Sequence, residues 1–117
     1  MADCLDEIVE RLRAFAADRD WAQFHDPKNL AMAVASEAGE LLAEYRWIPN
    51  ADADAWSLEP DNKHRVAIEV ADVGIALLLL CDRVGVDLLE AIDEKIELNA
   101  RNYPVSLSKG KHSRPEK

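Results

Sequence analysis

The segment at residues 66–81, VAIEVADVGIALLLLC, restricts most strongly what this chain can fold into. Apolar residues cover nearly the whole circumference of the helix that it predicts, and Glu69 and Asp72 are its only acidic or basic residues. Such a helix is expected to be buried. Because a lone buried carboxylate costs several kcal/mol of folding free energy, something in or on the protein has to compensate both charges.

Helical periodicity also governs the rest of the chain, and no strand pattern or long repeat competes with it. Proline, glycine and capping residues mark where the periodic segments stop. Asp87 followed by Glu90, for example, resembles a capping box. The predicted helices run over residues 5–20, residues 29–46, residues 61–84 (before Gly85) and from residue 87 up to Pro104.

These segments predict an all-α fold, an antiparallel bundle of four main helices. With 117 residues the chain is long enough for one hydrophobic core, and we expect one domain over residues 1–104. The stretch PNADADAWSLEPD, residues 49–61, is predicted to be a loop because it has two prolines and no sustained period. Residues 105–117 form a polar, basic tail that we expect to be flexible.

The charge and the cysteines limit the environment and the partners. A formal net charge of −9 argues against binding to a nucleic acid polymer through its phosphates. Cys4 and Cys81 are the only cysteines, which suits a reducing compartment better than a disulfide framework. The acidic N-terminus is unlike a signal peptide, and the longest apolar run, residues 73–81, is too short to cross a bilayer. The sequence therefore predicts a soluble cytoplasmic protein with no membrane partner.

Two acidic ridges stand at helical spacing. Glu37, Glu40 and Glu44 form one on the second predicted helix, and Glu69 with Asp72 forms another on the third. An E-x-x-E pair on a helix usually marks a solvated face. The apolar surroundings of the second ridge favour bound cations instead, because these helices contain few basic residues. Oxygen ligands without His or Cys at ligand spacing favour Mg²⁺ or Mn²⁺ over Zn²⁺.

Three segments carry a resemblance to a known family: WAQFHDPKNLAMAVASEAGELLAEYRW, then EVAD, then KIELNARNYP. In this order and spacing they resemble the MazG-like all-α nucleotide pyrophosphohydrolases, and among them the dCTP pyrophosphatase branch, over roughly residues 15–104. The resemblance implies Mg²⁺-dependent hydrolysis of a nucleoside triphosphate, dCTP or a modified dCTP, to the monophosphate and pyrophosphate, with Mn²⁺ as a substitute for Mg²⁺. The metal ligands that it implies are Glu37, Glu40, Glu69 and Asp72.

The residues that act on the phosphates follow from the same resemblance together with their chemistry. For the carboxylate that orients or deprotonates the attacking water, Glu40 is the first candidate and Glu44 the second. On the fourth helix Lys95 is expected to meet phosphate, while Asn99 and Tyr103 hold phosphate or sugar oxygens. The alternative for this helix end is a surface lysine followed by a fraying last turn.

A nucleobase needs a surface of its own, and aromatic residues flank the second predicted helix. Phe24 is expected to belong to the core, whereas Trp56 either closes over the site or anchors its loop. In the family's base pocket, rings stack on the base and polar groups read its edge. The residues that resemble this pocket are Trp21, His25 and Trp47, and Asn29, which opens the second helix, is a further candidate for substrate binding.

The apolar third helix also bears on assembly. Its run of leucines, residues 77–80, is expected to pack against another subunit, and the resemblance implies a homotetramer built as a dimer of dimers, or a dimer. Trp47 or the Trp56 loop would then complete a neighbour's pocket.

Two other classes of function are open at this point. One is a non-catalytic metal-binding helical interaction module, in which the acidic ridges recruit a basic partner. The other is a di-metal carboxylate oxidoreductase. That class uses Glu-x-x-His, and neither acidic pair of this sequence has the histidine.

Overall fold

The computed structural model describes residues 4–113, and within this range the chain contains no strand. Residues 114–117 of the predicted tail and the first three residues lie outside it. In chain order the elements are α1 (Cys4–Asp18), a 3-10 turn (Ala22–Phe24), α2 (Pro27–Tyr45), a second 3-10 turn (Asn50–Asp52), α3 (Ala53–Leu58), α4 (Pro60–Val84), α5 (Leu88–Asn102) and α6 (Val105–Ser108).

The predicted all-α class is confirmed, and α1, α2, α4 and α5 are the four main helices that the periodicity predicts. The loop prediction is wrong for residues 53–58, which form α3. One further turn of helix, α6, lies within the predicted tail. In the part of the chain that the structure describes, no helix combines the length and the hydrophobicity needed to cross a membrane.

Local capping explains where α2 begins. The helix starts at Pro27, two residues earlier than predicted, because Asp26 caps it. One carboxylate oxygen of Asp26 accepts the backbone N–H of Asn29 at 2.9 Å, and the proline occupies the first helical position, where no N–H is needed. The helix ends at Tyr45, one residue before the predicted end.

Two predicted helix-boundary residues, the glycine that follows α4 and the cap of α5, are confirmed. Gly85 has a φ of 74°, and its N–H donates to the carbonyl oxygen of Cys81 at the end of α4. This left-handed conformation favours glycine, which has no Cβ to clash with the backbone. Asp87 accepts the N–H of Glu90 at 3.0 Å and so caps α5.

Tertiary contacts hold α3 against the end of α2. The Ser57 hydroxyl donates to the carbonyl oxygen of Ala53 at 2.7 Å, so the Tyr45 hydroxyl, 2.7 Å from Ser57 Oγ, donates to it. The ring of Trp56 meets the ring of Tyr45 edge to face, with centroids 5.2 Å apart. Trp56 therefore anchors this segment to α2.

The chain divides into two compact units at residues 85 and 86. In the first unit, α2 and α4 pack in an antiparallel arrangement: Glu44 near the end of α2 meets Arg65 near the start of α4, at 3.4 Å. In the second half of α1, the guanidinium of Arg13 donates to both carboxylate oxygens of Asp82 near the end of α4. The second unit contains α5 and α6.

The expectation that α4 is buried is wrong for the single chain. Among its described residues only Ala76 and Cys81 are buried, while Glu69 and Asp72 are half-buried and Ile68 is exposed. In the first unit α2 runs along one side of α4, and α1 and α3 meet it only near its ends. Several apolar side chains of α4, among them Ile68 and Val70, consequently stay exposed.

Candidate metal and nucleotide site

Three acidic side chains converge between α2 and α4. Carboxylate oxygens of Glu37, Glu69 and Asp72 all lie within 4.8 Å of one another, and the three residues are half-buried. Glu69 and Asp72 share a face of α4 because they are three residues apart, and the antiparallel packing places Glu37 of α2 opposite them. We call these three residues the acidic cluster.

The acidic cluster has the properties of a cation site. Within residues 4–113 no Lys, Arg or His forms an ion pair with any of its members. Partial burial raises the pKa of Glu69, and the negative charges of Asp72, Glu40 and Glu37 raise it further. Several converging carboxylate oxygens without a basic partner suit a hard divalent cation such as Mg²⁺. The residues present therefore fit a divalent metal.

Glu40 and Glu44 lie beside the acidic cluster but are not members of it. Glu40 is exposed, and its charge acts on Glu69. Glu44 is half-buried, and its carboxylate lies 3.4 Å from Nε of Arg65. Of the four predicted metal ligands, the structure thus brings Glu37, Glu69 and Asp72 together. The ligand role of Glu40 stays a prediction.

A cavity of about 300 Å³ adjoins the acidic cluster, with Glu37 and Asp72 in its wall. His25 and Asn29 line it from the start of α2, and Asn29 Nδ2 donates to the carbonyl oxygen of Phe24 at 3.1 Å. The prediction that Phe24 belongs to the core is wrong, because its side chain is 59% exposed and the short 3-10 turn places it in the cavity wall.

A second cavity, of about 480 Å³, lies on the α1 side of the first. It is mainly apolar, and Phe15 and Trp21 contribute an edge-to-face ring pair with centroids 5.7 Å apart. Arg11 is the cationic residue in its wall. Three residues, His25, Ile75 and Leu79, line both cavities. Trp21, His25 and Asn29 accordingly gather on one side of the acidic cluster.

Trp47 is elsewhere in the chain. It follows the C-terminal end of α2, whereas His25 and Asn29 lie at the N-terminal end. The 19 residues of α2 span about 28 Å at the rise of an α-helix. The Trp47 side chain is 85% exposed. Trp47 and the other predicted base-pocket residues of the same chain therefore do not share a cavity.

The predicted phosphate and sugar contacts lie in the second unit. Lys95 and Asn99 are one turn apart on α5, and both are exposed. Tyr103 follows the last residue of α5, and its N–H donates to the carbonyl oxygen of Asn99 at 2.7 Å. Lys95 and Asn99 thus share one face of α5, and Tyr103 lies just beyond its end.

Periodicity alone did not identify Arg65, the basic partner of Glu44. A signal for it exists, since Arg65 stands four residues before Glu69 and so lies on the same face of α4. Ile75 and Leu79 are apolar residues whose place in the cavity walls depends on the neighbouring helices.

The segment that carries all three members of the acidic cluster falls within residues 32–114, which match the model of the MazG-like family. The chain belongs to the MazG-like family. The match covers α4 completely and α2 from its second turn onward, so the helices that build the acidic cluster are part of what the family shares.

Individual MazG-like relatives show how far this similarity extends. The chain is 41% identical to dCTP pyrophosphatase 1 of Bos taurus over 105 residues, which is 89% of this chain and 62% of the bovine protein. It is 38% identical to dCTP pyrophosphatase 1 of Homo sapiens over 104 residues, or 88% of this chain and 61% of the human protein. The chain thus spans less than two thirds of the length of these relatives.

A solved structure agrees over nearly its whole length. A pyrophosphatase from Archaeoglobus fulgidus superposes with a TM-score of 0.82 at 38% sequence identity, covering 89% of this chain and 95% of the archaeal one. The fold of this MazG-like chain is therefore that of a known pyrophosphatase.

Proposed function

We propose that this chain hydrolyses a nucleoside triphosphate, dCTP or a modified dCTP, to the nucleoside monophosphate and pyrophosphate. The observation that carries the proposal is the acidic cluster, three half-buried carboxylates without a basic partner in residues 4–113. Two of them, Glu37 and Asp72, line a cavity large enough for part of a nucleotide. The two dCTP pyrophosphatases and the archaeal pyrophosphatase support the reaction and the substrate class.

The metal that we propose is Mg²⁺, with Mn²⁺ as a substitute. Glu37, Glu69 and Asp72 would hold it, and Glu40 is the proposed fourth ligand. Bound Mg²⁺ supplies Lewis acidity at the phosphates and lowers the pKa of a bound water. The chain itself supplies carboxylate oxygen ligands and a cavity wall from which water is partly excluded. At this wall the negative charge of a triphosphate is compensated only when the metal is present.

A carboxylate beside the cluster is proposed to orient or deprotonate the attacking water. Glu40 is the first candidate because its carboxylate forms no ion pair among the described residues, and it lies one turn from Glu37. Glu44 is the second candidate. Its carboxylate already contacts the Arg65 guanidinium at 3.4 Å, which leaves it less free than Glu40 to orient a water.

The two cavities support a binding site for the base next to the metal. Trp21 offers a partly exposed ring for stacking, and His25 and Asn29 offer polar groups within the same region. We propose that this region selects a pyrimidine. Lys95, Asn99 and Tyr103 are the proposed contacts of the phosphate and sugar oxygens.

We further propose a homo-oligomer, a dimer of dimers or a dimer, in which Trp47 completes the base pocket of a neighbouring chain. Its support is the distance along α2, which keeps Trp47 of the same chain away from His25. An apolar groove on the α2–α4 surface also supports it, because such surfaces are usually covered by a partner. The groove is lined by Ala38, Leu41, Leu42, Tyr45, Val66 and Val70.

Other classes of function fit the site less well. A di-metal oxidoreductase of the Glu-x-x-His type needs histidine ligands, and the acidic cluster consists of carboxylates. An interaction module for a basic partner needs exposed acids, whereas these three are half-buried. The proposed location is the cytoplasm, which suits the free thiols of Cys4 and Cys81.

Pyrophosphate release from a panel of canonical and modified triphosphates, measured with Mg²⁺ and with EDTA, tests the proposal. We expect Mg²⁺-dependent release of pyrophosphate, fastest with dCTP or a modified cytosine nucleotide. Release of inorganic phosphate instead of pyrophosphate, or faster turnover of purine nucleotides, would argue against the proposed reaction or the proposed preference, respectively.

A further inference from the structure

Arg65 lies near the start of α4, opposite the end of α2. Its Nε lies 3.4 Å from the Glu44 carboxylate, and its Nη2 donates to Oδ1 of Asn62 at 2.8 Å. The guanidinium carbon is 5.9 Å from the centroid of the Trp56 ring. Three different contacts therefore fix one basic side chain at the edge of an acidic region.

Asn62 and Trp56, which contact Arg65, are themselves fixed by other contacts. Asn62 Nδ2 donates to the carbonyl oxygen of Trp56 at 3.0 Å, and the Trp56 ring packs against Tyr45 of α2. An isolated ion pair with a side chain as exposed as that of Arg65, 55%, contributes little to stability. The surrounding contacts already restrict the Arg65 side chain, so Arg65 loses little further conformational freedom when it pairs with Glu44. The main effect of Arg65 is therefore on where the Glu44 carboxylate lies.

Glu44 lies close enough to the acidic cluster that its negative charge contributes to the raised pKa of Glu69. It stands seven residues after Glu37 on α2, two turns along the same face. Its side chain is only 24% exposed. A half-buried carboxylate without Arg65 would be a further oxygen ligand for a divalent cation at this face.

We propose that Arg65 is a positioning residue, which holds the Glu44 carboxylate against the start of α4 and thereby keeps it out of the ligand set of the metal. Asn62 and Trp56 fix the guanidinium for this role. The inference rests on the proposed function, because it assigns Arg65 to the metal-dependent site. It makes the number of carboxylates around the metal depend on a residue that does not touch it.

A double-mutant cycle of Mn²⁺ affinity, measured by electron paramagnetic resonance on the full chain, tests this role. We expect Arg65→Gln to bind Mn²⁺ about fivefold more tightly, because one nearby positive charge is removed and Glu44 is released. Glu44→Gln should then weaken Mn²⁺ binding several times more in the Arg65→Gln background than in the wild type. The released carboxylate should also lower kcat for dCTP while leaving KM unchanged.

Two control variants distinguish the positioning role of Arg65 from the effect of its charge and from a loss of folding. Lys63→Gln removes the same charge two residues away on α4, and there the effect of Glu44→Gln should equal that in the wild type. Arg65→Lys keeps the charge but lacks the guanidinium that Asn62 and Trp56 fix, so the effect of Glu44→Gln should lie between those in the wild type and in Arg65→Gln. This variant also serves if Arg65→Gln fails to fold, and an effect equal to that in the wild type would then count against the positioning role. Melting temperatures identify such a failure.

Equal effects of Glu44→Gln in the wild-type and Arg65→Gln backgrounds would overturn the inference, because Arg65 would then act only through its charge. In that case Mn²⁺ binding and pyrophosphate release by the wild type leave the proposed function intact. A wild-type chain that neither binds Mn²⁺ nor releases pyrophosphate overturns both.

Discussion

Glu37 on α2 and Glu69 on α4 bring carboxylate oxygens within 4.8 Å of each other, and neither has a basic partner in residues 4–113. Two like charges at a half-buried position oppose folding unless a cation stands between them. The arrangement therefore lowers the stability of the metal-free chain. Its benefit is expected only when a divalent cation is bound.

Because repulsion between these carboxylates lowers the stability of the metal-free chain, removing one of the charges is expected to stabilise it. Since burial and the neighbouring carboxylates disfavour ionised Glu69, Glu69→Gln should raise the melting temperature of the metal-free protein by a few degrees. Adding Mg²⁺ should then stabilise the wild type more than the variant, because the metal binds the folded wild type more tightly. Differential scanning calorimetry in EDTA and in Mg²⁺ measures both effects.

Glu7→Gln is the matched control, since Glu7 is an exposed carboxylate in the first turn of α1. It should change the melting temperature equally with and without Mg²⁺. A metal-free Glu69→Gln protein that melts below the wild type would show that the acidic cluster is not a site of repulsion.

The contact between α1 and α4 predicts a pH dependence of stability. Hydrogen bonds from the Arg13 guanidinium, together with its charge, lower the pKa of Asp82 below the ordinary carboxyl value. A lowered pKa in the folded state means that the pair stabilises the protein above the ordinary value of about 4, and that this contribution is lost as the pH falls below it. Asp82→Asn should therefore lower the free energy of unfolding at neutral pH and have progressively less effect in acid.

Urea unfolding between neutral pH and about pH 3 measures this difference, which has to disappear below the range where carboxylates normally titrate. Asp61→Asn, at an exposed carboxylate of α4 that forms no side-chain ion pair in the described structure, is the control. An Asp82→Asn effect that is constant with pH would contradict the role of the ion pair.

His25 borders both cavities and should contribute to nucleotide binding rather than to metal binding. We expect His25→Ala to raise KM for dCTP about tenfold, the effect of losing one hydrogen bond or ring contact. Mn²⁺ affinity should be unchanged. His64→Ala, at an exposed histidine of α4, should leave KM as in the wild type. A His25→Ala variant with normal KM would remove the base site from these cavities.

Trp47 allows a test of pockets shared between chains. Trp47→Ala and Glu69→Gln should each be weakly active, because one lacks the ring and the other a metal ligand. If each pocket takes Trp47 from a neighbour, an equal mixture after subunit exchange should regain about a quarter of wild-type activity, since half of the dimers are mixed and have one intact site of two. A mixture no more active than the separate variants would contradict the shared pocket.

The sequence predicts the helices well where local signals determine them. Gly85 ends α4 through a left-handed φ that needs no information from the rest of the chain, and Asp87 caps α5 in the same local way. The six residues of α3 lack a periodic pattern. They are held by contacts of Ser57 and Trp56 with Tyr45 at the end of α2, which no local helix signal predicts.

The residues of the site also divide into those that local sequence signals identify and those whose position depends on helix packing. Glu69 and Asp72 are conspicuous because their surroundings along the helix are apolar, and spacing alone places them on one face. Spacing does not show that Arg65 faces Glu44, or that Phe24 lies in a cavity wall, since both depend on the register between helices. The separation of Trp47 from His25, in contrast, already follows from the helix predicted over residues 29–46, whose length keeps the two residues apart.

The most direct test of the account is the rate of pyrophosphate release from dCTP with Mg²⁺, compared between the wild type, Glu69→Gln and the control Glu7→Gln. The account predicts that Glu69→Gln lowers kcat/KM by about a thousandfold while the protein stays folded, because a ligand of the catalytic metal is lost. Glu7→Gln should match the wild type. A folded Glu69→Gln protein with wild-type turnover would show that the acidic cluster is not the catalytic centre.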